Sequence, residues 1–411
     1  MTGPSSQSRS LLTIIFLTVF IDLLGFGIVL PLLPYYARQF HASGITAGAL
    51  IGIYSAMQFV TAPLWGRWSD RIGRRPVILV SLVGSTVSYL LFAMADSIEL
   101  LFVSRILAGV AGASIPVAQA YIADVTSESE RARGMGLIGA AFGLGFVFGP
   151  VIGGLLAHYG HHAPGLAATA ICGTNLIAAF WRLPESLPPG QRHVRPAAHP
   201  LLQWRAASKR PQIATLVLLF AAVVFCFSTM ETTLSLLCAT AYQMSASHIY
   251  WLFGYMGVMT TLMQGGVIGR LVRRVDETRL VSVGTALLAV GLAAAPFTPP
   301  LLPLLLALGA IAIGQGIASP LLSSLLSKAS PGKERGEVLG VSQSLGSLAR
   351  IFGPLWGGLL FDHAGPAGPY VTTAAVMGVA TGVAWMLAQR IRAQVSATAR
   401  DIAAAPEPPV V

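Results

Sequence analysis

Hydrophobic positions along the chain fall into twelve long blocks. They lie at residues 11–37, 45–65, 76–95, 99–123, 134–157, 164–182, 212–240, 248–269, 280–297, 301–325, 336–361 and 368–389. Each block is long enough to cross a ~30 Å hydrocarbon layer as a helix rising 1.5 Å per residue. The pattern predicts an all-α membrane protein of twelve transmembrane helices.

The polar connectors between blocks divide by charge. Connectors on one side hold 23 of the 26 Lys and Arg, including Arg67, Arg71, Arg74, Arg75, Arg270, Arg273 and Arg274. The other side has Arg38 alone, and Arg105 and Arg350 lie inside spans. Positive connectors stay in the cytoplasm, so both termini are expected there, as an even number of spans requires. The 27-residue first block is too long for a signal-peptide core and is expected to be retained. The longest connector, rich in Pro and Arg, splits the spans six and six. The predicted organisation is a half at 1–182, a cytoplasmic linker at 183–211, a half at 212–390 and a cytoplasmic tail at 391–411.

One block shows how the halves are related. Residues 134–156 carry no charge, and Ala141, Gly145, Gly149 and Gly153 lay a small-residue stripe on one helix face. Pro150 deprives the Phe146 carbonyl of its helical donor and invites a bend. The run Phe148-Gly149-Pro150-x-x-Gly153-Gly154-Leu155-Leu156 returns 204 residues later as Phe352-Gly353-Pro354-x-x-Gly357-Gly358-Leu359-Leu360. Gly112 and Pro116 likewise return as Gly316 and Pro320. Internal repeats of this kind place a transport site near the bilayer midplane, between the halves.

Composition narrows the class without changing it. At 54% hydrophobic and 10% charged, with a mean hydropathy of +0.71, the chain lacks the charged surface of a soluble protein. The net charge of +10 is distributed as orientation signals are, which argues against nucleic acid as a partner. Cys172, Cys226 and Cys238 sit in apolar stretches without metal-ligand spacing.

Candidate chemistry is therefore confined to the few charges inside spans. Of sixteen acids, only Asp22 and Glu231 lie deep within apolar blocks. An ionised side chain at bilayer depth costs roughly 2.5–3.5 kcal/mol, so both are candidates for reversible proton binding. A neutral, hydrogen-bonded acid that ties helices together is the alternative. Arg105 and Arg350 match them in number. A buried Arg cannot discharge and needs a partner, a carbonyl or a watery cavity. By depth alone, Arg105 suits Glu231 better than Asp22. Tyr54, Gln58, Tyr121, Phe227 and Met230 fall where a binding cavity would form, although most such residues in a bundle serve packing.

Four ordered motifs carry a family resemblance. Gly66-Arg67-Trp68-Ser69-Asp70-Arg71-Ile72-Gly73-Arg74-Arg75 resembles the G-x-L-a-D-r-x-G-r-r/k signature of the major facilitator superfamily, with Trp68 in place of a small aliphatic residue. Gly136, Gly145, Gly149, Pro150, Gly153 and Gly154 fit that superfamily's antiporter signature, G-x8-G-x3-G-P-x2-G-G. Arg105-Ile106-Leu107-Ala108-Gly109 resembles its R-x-x-x-G element. Asp22-Leu23-Leu24-Gly25, followed by Pro31 and Pro34, resembles the first helix of the tetracycline exporters. Over its whole length the chain is similar to the twelve-span drug:proton antiporters.

The resemblance implies a proton-coupled efflux transporter that exports small amphipathic molecules by alternating access. It implies the proton gradient as energy source, no cofactor or metal, a bacterial inner membrane and a functional monomer. Spans one, four, seven and ten would line the cavity, so that Asp22 and Glu231 face each other across it. Asp70 would meet the start of span eleven near Arg335, and one of Arg71, Arg74 or Arg75 would link to Asp124. That latch would join the halves while the cavity faces outward. Tetracycline exporters carry acids in their third and ninth helices, where this chain has Ser88 and no acid at all, so tetracycline itself is not the expected substrate. An exporter of a sugar, amino acid or siderophore is the alternative within the superfamily. A polytopic membrane enzyme, the alternative outside it, would need clustered acids or histidines at a membrane face, and none stands out.

Overall fold

The computed structural model describes residues 6–112, 114–160, 162–188, 210–298, 301–330 and 335–404, and every regular element among them is helical. The first half contains α1 (Ser6–Val29), α2 (Leu32–Gln39), α3 (Gly44–Ile72), α4 (Arg74–Ala93), α5 (Ile98–Ala111), α6 (Ser114–Val125), α7 (Glu128–Leu156) and α8 (His162–Arg182). The second contains α9 (Pro211–Thr240), α10 (Ala246–Leu262), α11 (Ile268–Leu271), α12 (Glu277–Ala294), α13 (Leu301–Ala329), α14 (Arg335–Ala364) and α15 (Gly368–Ala404). All twelve predicted spans are occupied by helix, and ten of them reach by themselves the length and apolarity needed to cross a membrane. The eighth and eleventh fall short. In the eighth, α10 has only 17 residues before a π turn at Met263–Val267; in the eleventh, α14 carries Ser344, Ser347 and Arg350 in its middle.

Proline explains two interruptions that the continuous blocks did not predict. Pro31 and Pro34 separate α1 from α2 at the end of the first span. The fourth span divides into α5 and α6 because Pro116 has no N–H to offer the Gly112 carbonyl. Neighbouring helices supply the missing donors: Gln58 Nε2 donates to Gly112 O at 3.2 Å and Trp65 Nε1 to Val110 O at 2.6 Å. A break inside a bilayer is tolerable when its freed carbonyls are satisfied in this way. The equivalent Gly316 and Pro320 leave α13 continuous, and there Thr260 Oγ1 donates across to Ala312 O at 3.3 Å. Pro150 and Pro354 also remain inside unbroken helices of 29 and 30 residues.

The apolar core follows the halves. Buried side chains between Ile213 and Ala384 form one cluster. The first half has two, and Leu236 and Tyr250 of the second half join one of them. Most of the predicted linker lies outside the described residues. Helix α15 continues beyond the last span to Ala404, through most of the predicted tail at 391–411.

The two ends of the bundle differ. At the end carrying Gly66 to Arg75, called here the basic end, the missing side chains of Gly66, Gly136, Gly139, Gly265, Gly269, Gly336 and Gly340 face open space. At the far end the halves touch backbone to backbone, Gly44 against Gly358 and Gly48 against Pro354. Three side chains of the second half grip the main chain of the first there. Ser235 Oγ donates to Pro31 O at 2.9 Å and Tyr250 Oη to Ile28 O at 3.1 Å. Asp362 accepts from the first amides of α3, Gly44 N at 2.7 Å and Ile45 N at 2.9 Å. A carboxylate suits a helix N-terminus, where unpaired N–H groups carry partial positive charge. The far end is shut and the basic end open.

Candidate functional site

The charges inside spans meet between the halves. Asp22 on α1 lies within electrostatic range of Tyr54, Tyr89 and Cys172. Tyr54 on α3 also senses Arg105 from α5 and Arg350 from α14. Arg350 and Glu231 on α9 sense each other. Tyr54 is thus the meeting point of charges from both halves. Gln58 donates to its hydroxyl at 3.4 Å and to the broken fourth span, while Phe26 packs against its ring at 5.3 Å between centroids. Asp22, Glu231, Arg350, Tyr54 and Gln58 are all only partly buried although they sit in mid-span, as expected beside an opening between the halves.

Glu231 lies within electrostatic range of Arg350 and not of Arg105, contrary to the expectation from depth. Arg105 is 1% exposed within its own half, its guanidinium 5.5 Å from the Phe92 ring centroid and 5.9 Å from that of Tyr89. Aromatic faces attract a desolvated cation and take the place of a carboxylate. Arg105 Nε also donates to Ser104 Oγ at 3.3 Å, while its Nη2 has no hydrogen-bond partner among the described residues. Depth along a helix does not say which neighbour a side chain faces.

The cavity list divides. Tyr54 and Gln58 border the opening. Phe227 is half-buried against the second-half core. Tyr121 and Met230 are sealed from it, at 0% and 1% exposure, and Tyr121 Oη donates to Pro184 O at 3.1 Å. Both belong to packing rather than to a cavity in this conformation.

The glycine signature packs α7 against Asp22's own helix. A methyl on Gly149 would lie 2.6 Å from the Gly27 carbonyl carbon, and one on Gly145 3.0 Å from Leu23. Gly153 and Gly154, which follow Pro150, receive the Tyr250 ring from the second half. The twin helix α14 repeats the plan, with Gly353 on α9 and Gly358 on α3. Gly136 has no such neighbour.

At the basic end Arg74, rather than Arg71 or Arg75, reaches Asp124. Its Nη1 lies 2.6 Å from Asp70 Oδ1 and its Nε 3.0 Å from Asp124 Oδ2, with Ser69 Oγ 2.7 Å away. Gly73 takes φ 109°, a conformation that side chains resist, and turns α3 into α4 so that Arg74 can do this. Sequence reasoning missed Glu185, which followed Pro184 in a stretch read as linker. Its carboxylate accepts from Arg74 N at 2.8 Å and Arg75 N at 3.2 Å, capping α4. The cluster draws on the first half and the stretch just after it. The start of α14 faces open space at Gly336 and Gly340, and the Arg335 side chain lies outside the described residues. Among the described residues, no bond joins this cluster to α14.

The second half has an ion pair at the matching place with its polarity reversed: Lys328 Nζ lies 2.8 Å from Glu277 Oε1. No group of three or more His, Cys, Asp or Glu among the described residues is arranged to hold a metal ion.

Comparison with known proteins agrees with the motifs. A family model described as Major Facilitator Superfamily matches residues 15–301 and again 265–410. The chain is 35% identical over 360 residues to the class C tetracycline resistance protein of Escherichia coli, covering 85% of this chain and 89% of that one. It is 29% identical over 367 residues to Multidrug resistance protein 2 of Bacillus subtilis, covering 88% and 91%. Among solved structures it resembles the human organic anion transporter MFSD10 (TETRAN), at 27% identity, TM-score 0.68 and coverage of 92% and 99%. A bacterial homologue of the human lysosomal transporter Spinster shares the fold at 17% identity, TM-score 0.75 and coverage of 94% and 98%.

Proposed function

The chain belongs to the Major Facilitator Superfamily, and we propose that it is a proton-coupled transporter exporting small amphipathic drugs by alternating access. The observation that carries this reading is the set of mid-span charges gathered at Tyr54, in a bundle closed at one end and open at the other. The excess of Lys and Arg supports a cytoplasmic basic end, both termini inside and a bacterial inner membrane. On this reading the structure faces inward. Substrate enters from the cytoplasm, and the halves rock until the far end opens. A proton from outside then neutralises Asp22 or Glu231, substrate leaves, and the bundle returns. The proton gradient supplies the energy, a monomer suffices, and the work is transport rather than catalysis.

The relatives include tetracycline and multidrug resistance proteins, and the site favours the second. Ser88, in the span where the tetracycline exporters carry an acid, is fully buried and donates to Ser85 O at 3.0 Å. α12 carries no acid after Glu277 in its first turn. Proteoliposomes loaded with a pH-sensitive dye test the proposal, using tetracycline, lipophilic cations, organic anions and a set of sugars and amino acids. Proton movement is expected with at least one amphipathic drug and only weakly with tetracycline. A response to metabolites alone would move the assignment to metabolite export, and silence across the panel would end the coupling claim.

The basic-end cluster gives a second expectation. Asp70→Asn weakens the hold on Arg74 and removes the charge intended for the start of α14. Turnover is expected to fall roughly tenfold, equivalent to about 1.4 kcal/mol, at unchanged protein level in the membrane. Normal turnover would remove the latch from the mechanism.

A further inference from the structure

A groove on the outer surface of the first half, between α4 and α8, has a feature that apolar packing does not explain. Its walls are Val80, Val83, Ile177, Phe180 and Trp181, all substantially exposed and all apolar, in a segment that lies in the bilayer. At its basic end it stops at a cation. Arg75 lays its guanidinium 5.6 Å from the Phe180 ring centroid and donates through Nη2 to Phe180 O at 2.6 Å. Arg182 follows Trp181 at the end of α8 and is exposed.

The charge on Arg75 is not balanced by protein. Arg74, its neighbour, takes both Asp70 and Asp124. Glu185 spends its oxygens on the amides of Arg74, Arg75 and Leu187. Arg75 forms no ion pair among the described residues, and its Nε is buried without a hydrogen-bond partner. Nearby cations thus stand at the mouth of a lipid-facing apolar groove, with an indole 79% exposed beside them. Trp prefers the level of the headgroups, and basic pockets between spans on the cytoplasmic side suit anionic headgroups.

We propose that the α4–α8 groove is a binding site for one anionic glycerophospholipid. An acyl chain lies between Val83 and Ile177, and the phosphate sits at Arg75 and Arg182. Because Glu185 already caps α4, the phosphate is held by side chains and not by the helix N-terminus. The site lies on the outer surface, away from the opening at Tyr54, and does not depend on what the chain transports.

Quenching of Trp181 by lipids brominated on the acyl chain tests this in the full-length protein. The indole's own contribution is obtained by subtracting the signal of Trp181→Phe. Brominated phosphatidylglycerol and brominated phosphatidylcholine are each diluted into unlabelled phosphatidylcholine bilayers. At equal low mole fraction the glycerol lipid is expected to quench Trp181 as though enriched about fivefold for each arginine, falling as salt is raised. Arg75→Gln with Arg182→Gln should reduce the preference to that of phosphatidylcholine. Val83→Phe, which fills the groove and keeps both arginines, should weaken quenching by either lipid. Equal quenching by the two lipids in the unaltered protein, or a preference that survives loss of both arginines, would overturn the site. So would full quenching in Val83→Phe.

Discussion

Coupled transport is expected to fall at least about a hundredfold in Asp22→Asn and in Glu231→Gln, the equivalent of the roughly 3 kcal/mol that separates charged from neutral at bilayer depth. An amide keeps the size and much of the hydrogen bonding of the acid but cannot exchange a proton. If either acid carries the proton, downhill substrate exchange should continue while uphill accumulation stops. Glu231→Gln should also remove the negative charge that Arg350 on α14 senses. Restoring a carboxylate with Glu231→Asp should recover part of the coupling. Flux measured with and without a proton gradient separates the outcomes. Unchanged uphill transport in both variants would leave the two acids as helix ties.

Opening of the far end should follow from one added methyl. Gly48 lies so close to the Pro354 carbonyl that Gly48→Ala must push α3 away from α14. Overpacking of this kind typically costs about 1–3 kcal/mol, enough to move a two-state equilibrium by roughly ten- to a hundredfold. Leu236, 3% exposed in the cluster that joins the halves, is a suitable reporter. A cysteine there should react with an impermeant maleimide from outside at least about tenfold faster in Gly48→Ala, with transport reduced in proportion. Asp362→Asn should act in the same direction and less, since one acceptor oxygen becomes a donor. Unchanged labelling would mean that α3 and α14 do not form the outer door.

Much of this was legible in the sequence because bilayers impose simple rules. Twelve apolar blocks, one-sided Lys and Arg, and a displaced copy of the glycine–proline run each follow from the solvent. The rare charges inside spans stood out for the same reason. Contacts between distant helices were not legible. Gly112 and Pro116 looked the same as Gly316 and Pro320, yet only the first pair breaks its span. The difference lies in Gln58 and Trp65, about fifty residues earlier, which satisfy the freed carbonyls. Tyr121 and Met230 sat at the right depth and turned out to face packing. Glu185 and Asp362 act on helix N-termini across gaps of 111 and 318 residues, which no local pattern encodes.

The far-end seal has a consequence for genetics. Ser235, Tyr250 and Asp362 all belong to the second half, and all bond to main-chain atoms of the first. A random screen for variants that leak or reverse should therefore sample the halves unequally. In the second half it should recover losses of hydroxyl and carboxylate groups. In the first half it should recover chiefly replacements of the seam glycines, Gly44, Gly48, Gly153 and Gly154, since amides and carbonyls cannot be mutated away. Selection under drug exposure would tune the outer door of this chain largely from one half of its coding sequence.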